Sequence, residues 1–188
     1  MKLVLSSFTR SIAAAAATAF LALGAPTAGA EETGRLKLFG HRYSVIGGAS
    51  MSVPQRAATR AVFGERSFSP VLTLWSFDTP RGLGLSWDLG GDRWREGGRA
   101  ADVAHGGVGP RLLFADTASD FAPYLAVRAD AYAMRLDRGD WRLKPGANVE
   151  LGASVLRHVV ISARYDRLPR IGGMDLSGFS GRLAIKLF

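Results

Sequence analysis

Beyond residue 30 the chain alternates apolar and polar side chains over stretches of 9 to 15 residues. The stretch 83–89 places three leucines and a tryptophan on one parity, with Gly84, Ser86 and Asp88 on the other. The stretch 147–155 repeats the pattern with valine and leucine against Asn148 and Glu150. Successive side chains of a strand point to opposite faces, so this period of two predicts β-strands. Since one face carries charges and the other does not, the pattern favours a barrel that is apolar outside and charged inside.

The alternating segments predict an all-β fold, an eight-stranded antiparallel up-and-down transmembrane β-barrel. An even number of strands brings the first and last strands together, and closure removes the sheet edges that lipid cannot satisfy. The weakest stretch is 53–66, where residues 54–60 could form a helical turn. The predicted strands are 43–53, 68–78, 82–93, 103–115, 122–137, 142–156, 158–167 and 176–188.

The predicted connections alternate imperfectly between short and long. Short turns are expected at 78–82, 116–120 and 156–158. Longer links are expected at 54–67, 90–102, 138–141 and 168–175. Outer-membrane barrels have short periplasmic turns and longer extracellular loops, so the two sets are assigned to those two rims.

The N-terminus has the features of a secretory signal. Lys2 and Arg10 precede or flank an alanine-rich apolar core at 12–23, and 28–30 is an A-x-A cleavage site. The apolar core is shorter than the roughly 20 residues of a membrane-spanning helix. The predicted organisation is a signal peptide at 1–30, an N-terminal segment at 31–42 and a barrel at 43–188.

Composition narrows the partners of the exported chain. There is no cysteine, so disulfides and cysteine-based metal sites are excluded. Without Lys2 and Arg10 the chain keeps 22 basic and 16 acidic residues, a net charge of +6. Outside the inner membrane this positive charge is expected to bind lipopolysaccharide or phospholipid headgroups and not nucleic acid. The alternative is that the arginines are solvated and bind no partner.

The face assigned to lipid is free of charge from the third predicted strand onward, as expected when a midplane Lys or Arg costs about 2–4 kcal/mol. Aromatic residues near strand ends are predicted to form interfacial girdles; they are Tyr43, Trp75, Phe77, Trp87, Phe114, Tyr124, Trp141, Tyr165 and Phe179. The lipid face itself comprises Leu83, Leu85, Trp87, Leu89, Val108, Pro110, Leu112, Phe114, Leu125, Val127, Ala129, Ala131, Ala133, Ala147, Val149, Leu151, Ala153, Val155, Val159, Ile161, Ala163, Tyr165, Phe179, Leu183, Ile185 and Leu187.

The opposite face carries five basic and four acidic side chains. An eight-stranded barrel is just wide enough for its side chains to fill the inside, and buried charges need partners. We therefore predict an interior network of ion pairs that plugs the barrel. The alternative is a soluble lipocalin-like barrel that encloses an apolar ligand. The predicted interior residues are Asp88, Arg111, Arg128, Asp130, Glu150, Arg164, Asp166, Arg182 and Lys186.

The last predicted strand, Gly-Arg-Leu-Ala-Ile-Lys-Leu-Phe at 181–188, resembles the terminal strand of bacterial outer-membrane barrels. The chain as a whole is similar to the small eight-stranded group, such as the transmembrane domain of outer membrane protein A. This resemblance implies insertion by the barrel-assembly machinery, which recognises a terminal phenylalanine. Phe188 departs from the family pattern because Lys186, Ala184 and Arg182 share its parity, whereas the apolar set is Leu187, Ile185 and Leu183.

One constellation could carry chemistry. His158 and Ser162 share a face, and Glu150 lies on the inner face of the neighbouring strand, as an acyl hydrolase would require. The resemblance to lipid A deacylases is partial, since those barrels place His and Ser two residues apart on the lipid side. We expect no enzymatic activity, cofactor or metal, and we hold a lipid A-modifying hydrolase as the alternative.

The expected role is structural or adhesive, in the Gram-negative outer membrane. Arginine suits phosphate recognition, so the loop arginines are predicted to contact lipopolysaccharide phosphates. The pattern favours no particular oligomeric state. The loop arginines are Arg60, Arg66, Arg93, Arg95, Arg99, Arg138 and Arg170.

Overall fold

A computed structural model describes residues 36–38, 41–76 and 81–187. The predicted signal peptide, most of the segment 31–42, Phe77 and the terminal Phe188 lie outside these ranges. No helix among the described residues is long and apolar enough to span a bilayer. The elements are β1 (Leu36–Leu38), β2 (His41–Pro54), α1 (Ala57–Phe63), β3 (Ser67–Ser76), β4 (Gly82–Glu96), β5 (Arg99–Leu113), β6 (Phe121–Leu136), β7 (Arg142–Val155), β8 (Val159–Arg167) and β9 (Gly178–Lys186).

Eight antiparallel strands, β2 to β9, form a closed barrel. Each strand pairs with the next in sequence, and β2 also pairs with β9 from Ile46↔Lys186 to Pro54↔Gly178. The short strand β1 pairs with the start of β2, beyond the end of β9. The predicted fold class is confirmed, because every strand from β2 to β9 pairs with two neighbours.

The alternation of the sequence sets which side chains face outward. Leu85, Leu151 and Ile161 are 37%, 61% and 52% exposed, whereas Arg128 and Glu150 are 1% and 3% exposed. The apolar residues therefore cover the outside of the cylinder and the charges are enclosed. This arrangement contradicts the soluble lipocalin-like alternative, because the interior of such a barrel would be apolar.

Two apolar layers close the interior, one at each end. At the long-loop end, Phe63 of α1 packs with Trp94, Met134 and the loop residues Leu168 and Leu176. At the short-turn end, Trp75, Leu113, Tyr124 and Val160 pack together across the barrel. The charged network lies between these layers, so the interior is filled along its length.

The helix α1 and the β8–β9 loop form a lid over the long-loop end. The Thr59 hydroxyl donates to the Asp175 carbonyl (2.8 Å), and Arg56 donates to the Asp175 carboxylate (3.0 Å). The Gln55 amide donates to the Ser177 carbonyl (2.8 Å). The helical turn considered for residues 54–60 is therefore present, shifted to Ala57–Phe63.

The predicted link at 90–102 is wrong. Strand β4 continues to Glu96, and strand β5 already begins at Arg99. The two strands are joined by the two-residue turn Gly97-Gly98, with φ of 52° and 83°. Positive φ at both positions is what a tight type I′ hairpin turn requires. Gly90, where the predicted link began, lies within β4, and a Cβ there would come 2.8 Å from the His105 ring.

Part of the predicted aromatic girdle is also wrong. Trp75 and Tyr124 are 1% and 0% exposed and stack edge-to-face inside the barrel, with centroids 4.7 Å apart. Tyr43 is also buried, although it lies at an outward-facing position of β2, opposite Ser76. Tyr165 and Phe179 lie together on the outer face, with centroids 4.9 Å apart, as a girdle would place them. Parity distinguishes the two groups, because Trp75 and Tyr124 share the phase of the inward-facing polar residues.

Candidate functional site in the barrel interior

The nine residues predicted for the interior all lie on inward-facing strand positions. The strict alternation of each strand places them there between exposed apolar neighbours. They are Asp88 on β4, Arg111 on β5, Arg128 and Asp130 on β6, Glu150 on β7, Arg164 and Asp166 on β8, and Arg182 and Lys186 on β9.

Asp88 is the centre of the network and is 1% exposed. Arg182 Nη2 donates to both of its carboxylate oxygens at 3.0 Å, and Arg164 Nη1 donates to Oδ2. The Thr73 hydroxyl donates to Oδ1 at 2.9 Å. Two guanidinium groups thus compensate the burial of one carboxylate, as a buried charge requires.

Glu150 is the second centre. Its Oε2 accepts from Arg128 Nη1 at 2.7 Å and from Arg182 Nη1 at 3.0 Å. Its Oε1 accepts from the Tyr124 hydroxyl at 2.6 Å and from the Ser162 hydroxyl at 2.7 Å. Because Arg182 bonds both Asp88 and Glu150, it joins the two centres.

The network continues toward the long-loop end. Arg164 also donates to Asp166, which accepts from the Tyr132 hydroxyl at 2.8 Å. Asn148 donates to Asp130 and accepts from Arg128 at 3.1 Å. The structure therefore brings seven of the nine predicted residues into one hydrogen-bonded set. Arg111 and Lys186 stand apart from it, at the short-turn end.

Sequence reasoning missed the neutral members of this set and one histidine. Thr73, Tyr124, Tyr132 and Asn148 lie at inward positions of their strands, and this parity could have identified them. His105 Nδ1 lies 3.6 Å from Asp88 Oδ2 and 3.7 Å from Asp130 Oδ1.

Asp88, His105 and Asp130 bring possible metal ligands together, with ligand atoms within 4.8 Å of one another. However, Arg164 Nη2 lies 3.4 Å from His105 Nδ1 and 3.9 Å from Asp130 Oδ1. The guanidinium already supplies positive charge at this place, and it would repel a metal cation. The donor set therefore does not fit a metal ion.

The structure does not bring the considered hydrolase set together. Ser162 is buried and donates to Glu150, but His158 is exposed in the turn between β7 and β8. At about 3.3 Å per residue, four strand positions separate His158 from Ser162 by roughly 13 Å. The imidazole therefore has no access to the hydroxyl, which a general base must reach.

Charge is unevenly divided between the two rims. Among the side chains that the structure describes, the short-turn rim has Arg81 and Arg157 against Asp116 and Asp120, and Lys186 points inward at this end. The long-loop rim has twelve basic and six acidic side chains. The basic ones are Arg56, Arg60, Arg66, Arg93, Arg95, Arg99, Arg135, Arg138, Arg142, Lys144, Arg167 and Arg170; the acidic ones are Glu65, Glu96, Asp102, Asp137, Asp140 and Asp175.

A charged belt lies on the outside of the barrel, just beyond the apolar surface. Arg93, Asp102 and Arg135 are neighbours on β4, β5 and β6. Arg93 Nε and Arg135 Nη2 lie 2.8 Å and 2.6 Å from the two Asp102 oxygens. Arg135 also stacks on Trp141, 4.8 Å from the ring centroid. Since Asp102 is enclosed by two arginines, the belt presents positive charge outward.

Solved structures share this architecture. Neisserial surface protein A aligns with a TM-score of 0.59 and 18% identity, over 78% of this chain and 97% of that one. The fold is that of a small outer-membrane β-barrel. OprG, an outer membrane protein from Pseudomonas aeruginosa, aligns with a TM-score of 0.56 and 10% identity, over 76% of this chain and 93% of that one. No family model and no curated protein matches the sequence.

Proposed function

We propose that this barrel is a non-enzymatic component of the bacterial outer membrane with a structural or adhesive role, anchored by contacts between its basic rim and lipopolysaccharide phosphates. The observation that carries the proposal is the excess of basic side chains on one rim only. The side chains that fill the interior argue against a wide pore. The separation of His158 from Ser162 argues against a hydrolase.

The basic side chains of this rim differ in their availability. Arg60 donates to the carbonyls of Pro54 and Gln55 at 2.8 Å and 2.7 Å, and Arg99 pairs with Asp137 at 2.9 Å. Of the seven loop arginines predicted to contact lipopolysaccharide, Arg66, Arg95, Arg138 and Arg170 are exposed and form no ion pair with another described residue. These four are the arginines best placed to bind phosphate.

The position of the rim supports lipopolysaccharide as the partner. Arg93, Arg95 and Arg135 lie on outward positions of β4 and β6, in line with the apolar residues below them. The phosphates of a lipid whose acyl chains cover that apolar surface would lie at the level of these arginines. Insertion through the barrel-assembly machinery belongs to the same proposal.

The test compares two double variants with the same loss of charge. Arg66→Ala with Arg95→Ala removes two arginines from the basic rim, and Arg81→Ala with Arg157→Ala removes two from the other rim. A basic side chain near an anionic surface contributes about 1 kcal/mol, so the first pair should weaken lipopolysaccharide binding roughly 30-fold at low salt. Binding is measured by titrating lipopolysaccharide against the detergent-solubilised barrel.

The control pair should bind as the wild type does. Dephosphorylated lipopolysaccharide should bind all three proteins equally weakly, which identifies phosphate as the group recognised. Equal affinity of wild type and the Arg66/Arg95 variant for intact lipopolysaccharide would contradict the proposal.

A further inference from the structure

Two buried or half-buried cations share one aromatic ring at the short-turn end of the interior. The Arg111 guanidinium lies 4.5 Å from the Trp75 ring centroid, and Lys186 Nζ lies 5.5 Å from it. Arg111 is 1% exposed, and its one recorded hydrogen bond runs from Nη2 to the Ser76 carbonyl at 3.0 Å. Both cations point inward from β5 and β9.

Neither cation has an acidic partner among the described residues. Arg128, Arg164 and Arg182 each bond at least one carboxylate in the central network. Arg111 and Lys186 lie beneath that network, beyond the reach of its carboxylates. A cation–π contact offsets part of the cost of burying such a charge but leaves the charge itself in place.

Buried hydrogen-bond donors at the same end are also without acceptors within the described chain. They are Arg111 Nε, Arg111 Nη1 and Trp75 Nε1, none of which can accept a hydrogen bond. Buried polar atoms without a partner are few in folded proteins, and a bound water, ion or ligand is one explanation for them. Here the unmet donors coincide with unmet positive charge.

The site is placed for entry from the periplasm. Trp75, Arg111 and Lys186 lie within two residues of the ends of β3, β5 and β9, at the short-turn rim. Lys186 is half-buried, so it connects the enclosed guanidinium with the rim. A small solute would therefore meet Lys186 first and Arg111 behind it.

We propose that Arg111, Lys186 and Trp75 form a binding site for a small oxyanion, a phosphate or carboxylate group, at the periplasmic mouth of the barrel. Water could accept from the donors but would not balance two positive charges in a site of low dielectric. An oxyanion does both, and charge-assisted hydrogen bonds to it are strong. The site is independent of the lipopolysaccharide contacts, which lie at the opposite rim.

The four tryptophan indole groups allow a direct test by NMR of the labelled barrel in detergent micelles. Sodium phosphate and sodium acetate are titrated separately, at ionic strength held constant with sodium chloride. We expect a saturable shift of the Trp75 indole resonance. Trp94 is an internal control, because its Nε1 is also buried without a partner but lies at the other end of the barrel.

Variants assign the response to the site. Arg111→Met and Lys186→Met should each weaken the apparent affinity at least tenfold, whereas Arg81→Met, an exposed arginine at the same rim, should leave it unchanged. Circular dichroism of each variant checks that the barrel is folded. The acetate and phosphate arms distinguish carboxylate from phosphate recognition, and a response to either supports the site. Equal shifts of all four indoles, an unsaturable shift, or a response that survives both substitutions would overturn it.

Discussion

Arg182 bonds Asp88 and Glu150 at once, so each of these carboxylates depends on guanidinium groups from other strands. Removing one member of a buried pair leaves its partner charged and uncompensated, which costs about 3–5 kcal/mol. Removing both would cost less, because the interior could then repack. The network is therefore sensitive to single neutral substitutions.

Glu150→Gln should lower the free energy of unfolding by about 3–5 kcal/mol, since Arg128 and Arg182 both lose a carboxylate at this position. Denaturant unfolding in detergent, followed by circular dichroism, measures the change. The matched control is Asp120→Asn, which breaks the Arg157–Asp120 pair, with side chains 61% and 73% exposed. That exposed pair should contribute no more than about 1 kcal/mol. Equal losses from the two variants would count against a buried network.

The lid over the long-loop end should depend on pH through Asp175. Burial raises the pKa of this carboxyl, but hydrogen bonds from Ser177 and Arg56 outweigh burial and hold the pKa below its usual value. A carboxyl whose pKa is lowered on folding stabilises the fold above its unfolded pKa of about 3.9, and this stabilisation is lost as the pH falls through the folded pKa. Acidification from pH 5 to pH 3 should therefore loosen the lid.

Hydrogen exchange of the Ser177 amide measures this loosening, because that amide donates to Asp175 Oδ1 at 3.0 Å. Its protection, corrected for the intrinsic exchange rate, should fall between pH 5 and pH 3 in the wild type. In Asp175→Asn the protection should be low at both values, and Asp140→Asn, in another loop, should behave as the wild type does. Protection that is independent of pH in the wild type would refute this role of Asp175.

The inward position of each charged residue could be predicted from the sequence, but its partners could not. Parity along one strand places Arg128 and Glu150 inside. Which guanidinium meets which carboxylate depends on strand register and tilt, which bring Arg182 to Asp88 from across 94 positions of the chain. Arg111 and Lys186 belong to the same inward phase, yet only the structure shows that they lie apart from the acids.

At the level of elements, the seam between β2 and β9 decides whether the barrel closes. Gly48 of β2 pairs with Ala184 of β9. A Cβ at Gly48 would lie 2.2 Å from the Leu183 carbonyl oxygen and 2.4 Å from Ala184 Cα. Backbone atoms cannot move aside as a flexible side chain can, so the close approach of the two strands requires glycine here.

Gly48→Val should prevent closure or destabilise the barrel, at or above the upper end of the about 1–3 kcal/mol that overpacking costs. We expect the compact, heat-modifiable band of the folded barrel to be lost when the unheated variant is run on a detergent gel. Gly181→Val is the matched control on the same seam, because Gly181 pairs with Met51 and a Cβ there would meet no atom within 4 Å. If both variants kept the compact species, the seam would not be as tight as the structure has it.

Strand identity could be predicted from the sequence, but strand length could not where glycine is abundant. Gly90 and Gly91 indicated a loop, although β4 continues through them to Glu96. A Cβ at position 90 would come 2.8 Å from the His105 ring on the neighbouring strand, so that side chain would have to shift. This cross-strand neighbour is not visible in the pattern of a single strand.

Across the whole molecule, the interior is a stack of an apolar layer, a charged layer and a second apolar layer. Alternation predicted the charged layer and the lipid-facing surface. It did not predict the apolar layers, because Trp75 and Tyr124 lie near strand ends, where aromatic residues of a barrel are expected to face the interface. Those two rings instead pack together inside the short-turn end, where the Trp75 ring also contacts Arg111 and Lys186.

In a barrel of this kind, hydrocarbon must cover the leucine-rich outside. The cysteine-free chain allows single nitroxide labels at Leu85, Leu151 and Ile161 in the barrel reconstituted in bilayers. Electron paramagnetic resonance then compares the access of oxygen, which concentrates in hydrocarbon, with that of a water-soluble nickel chelate. We predict high access of oxygen and exclusion of nickel at all three positions. Ready access of nickel, or labels immobilised and reached by neither reagent, would contradict the account.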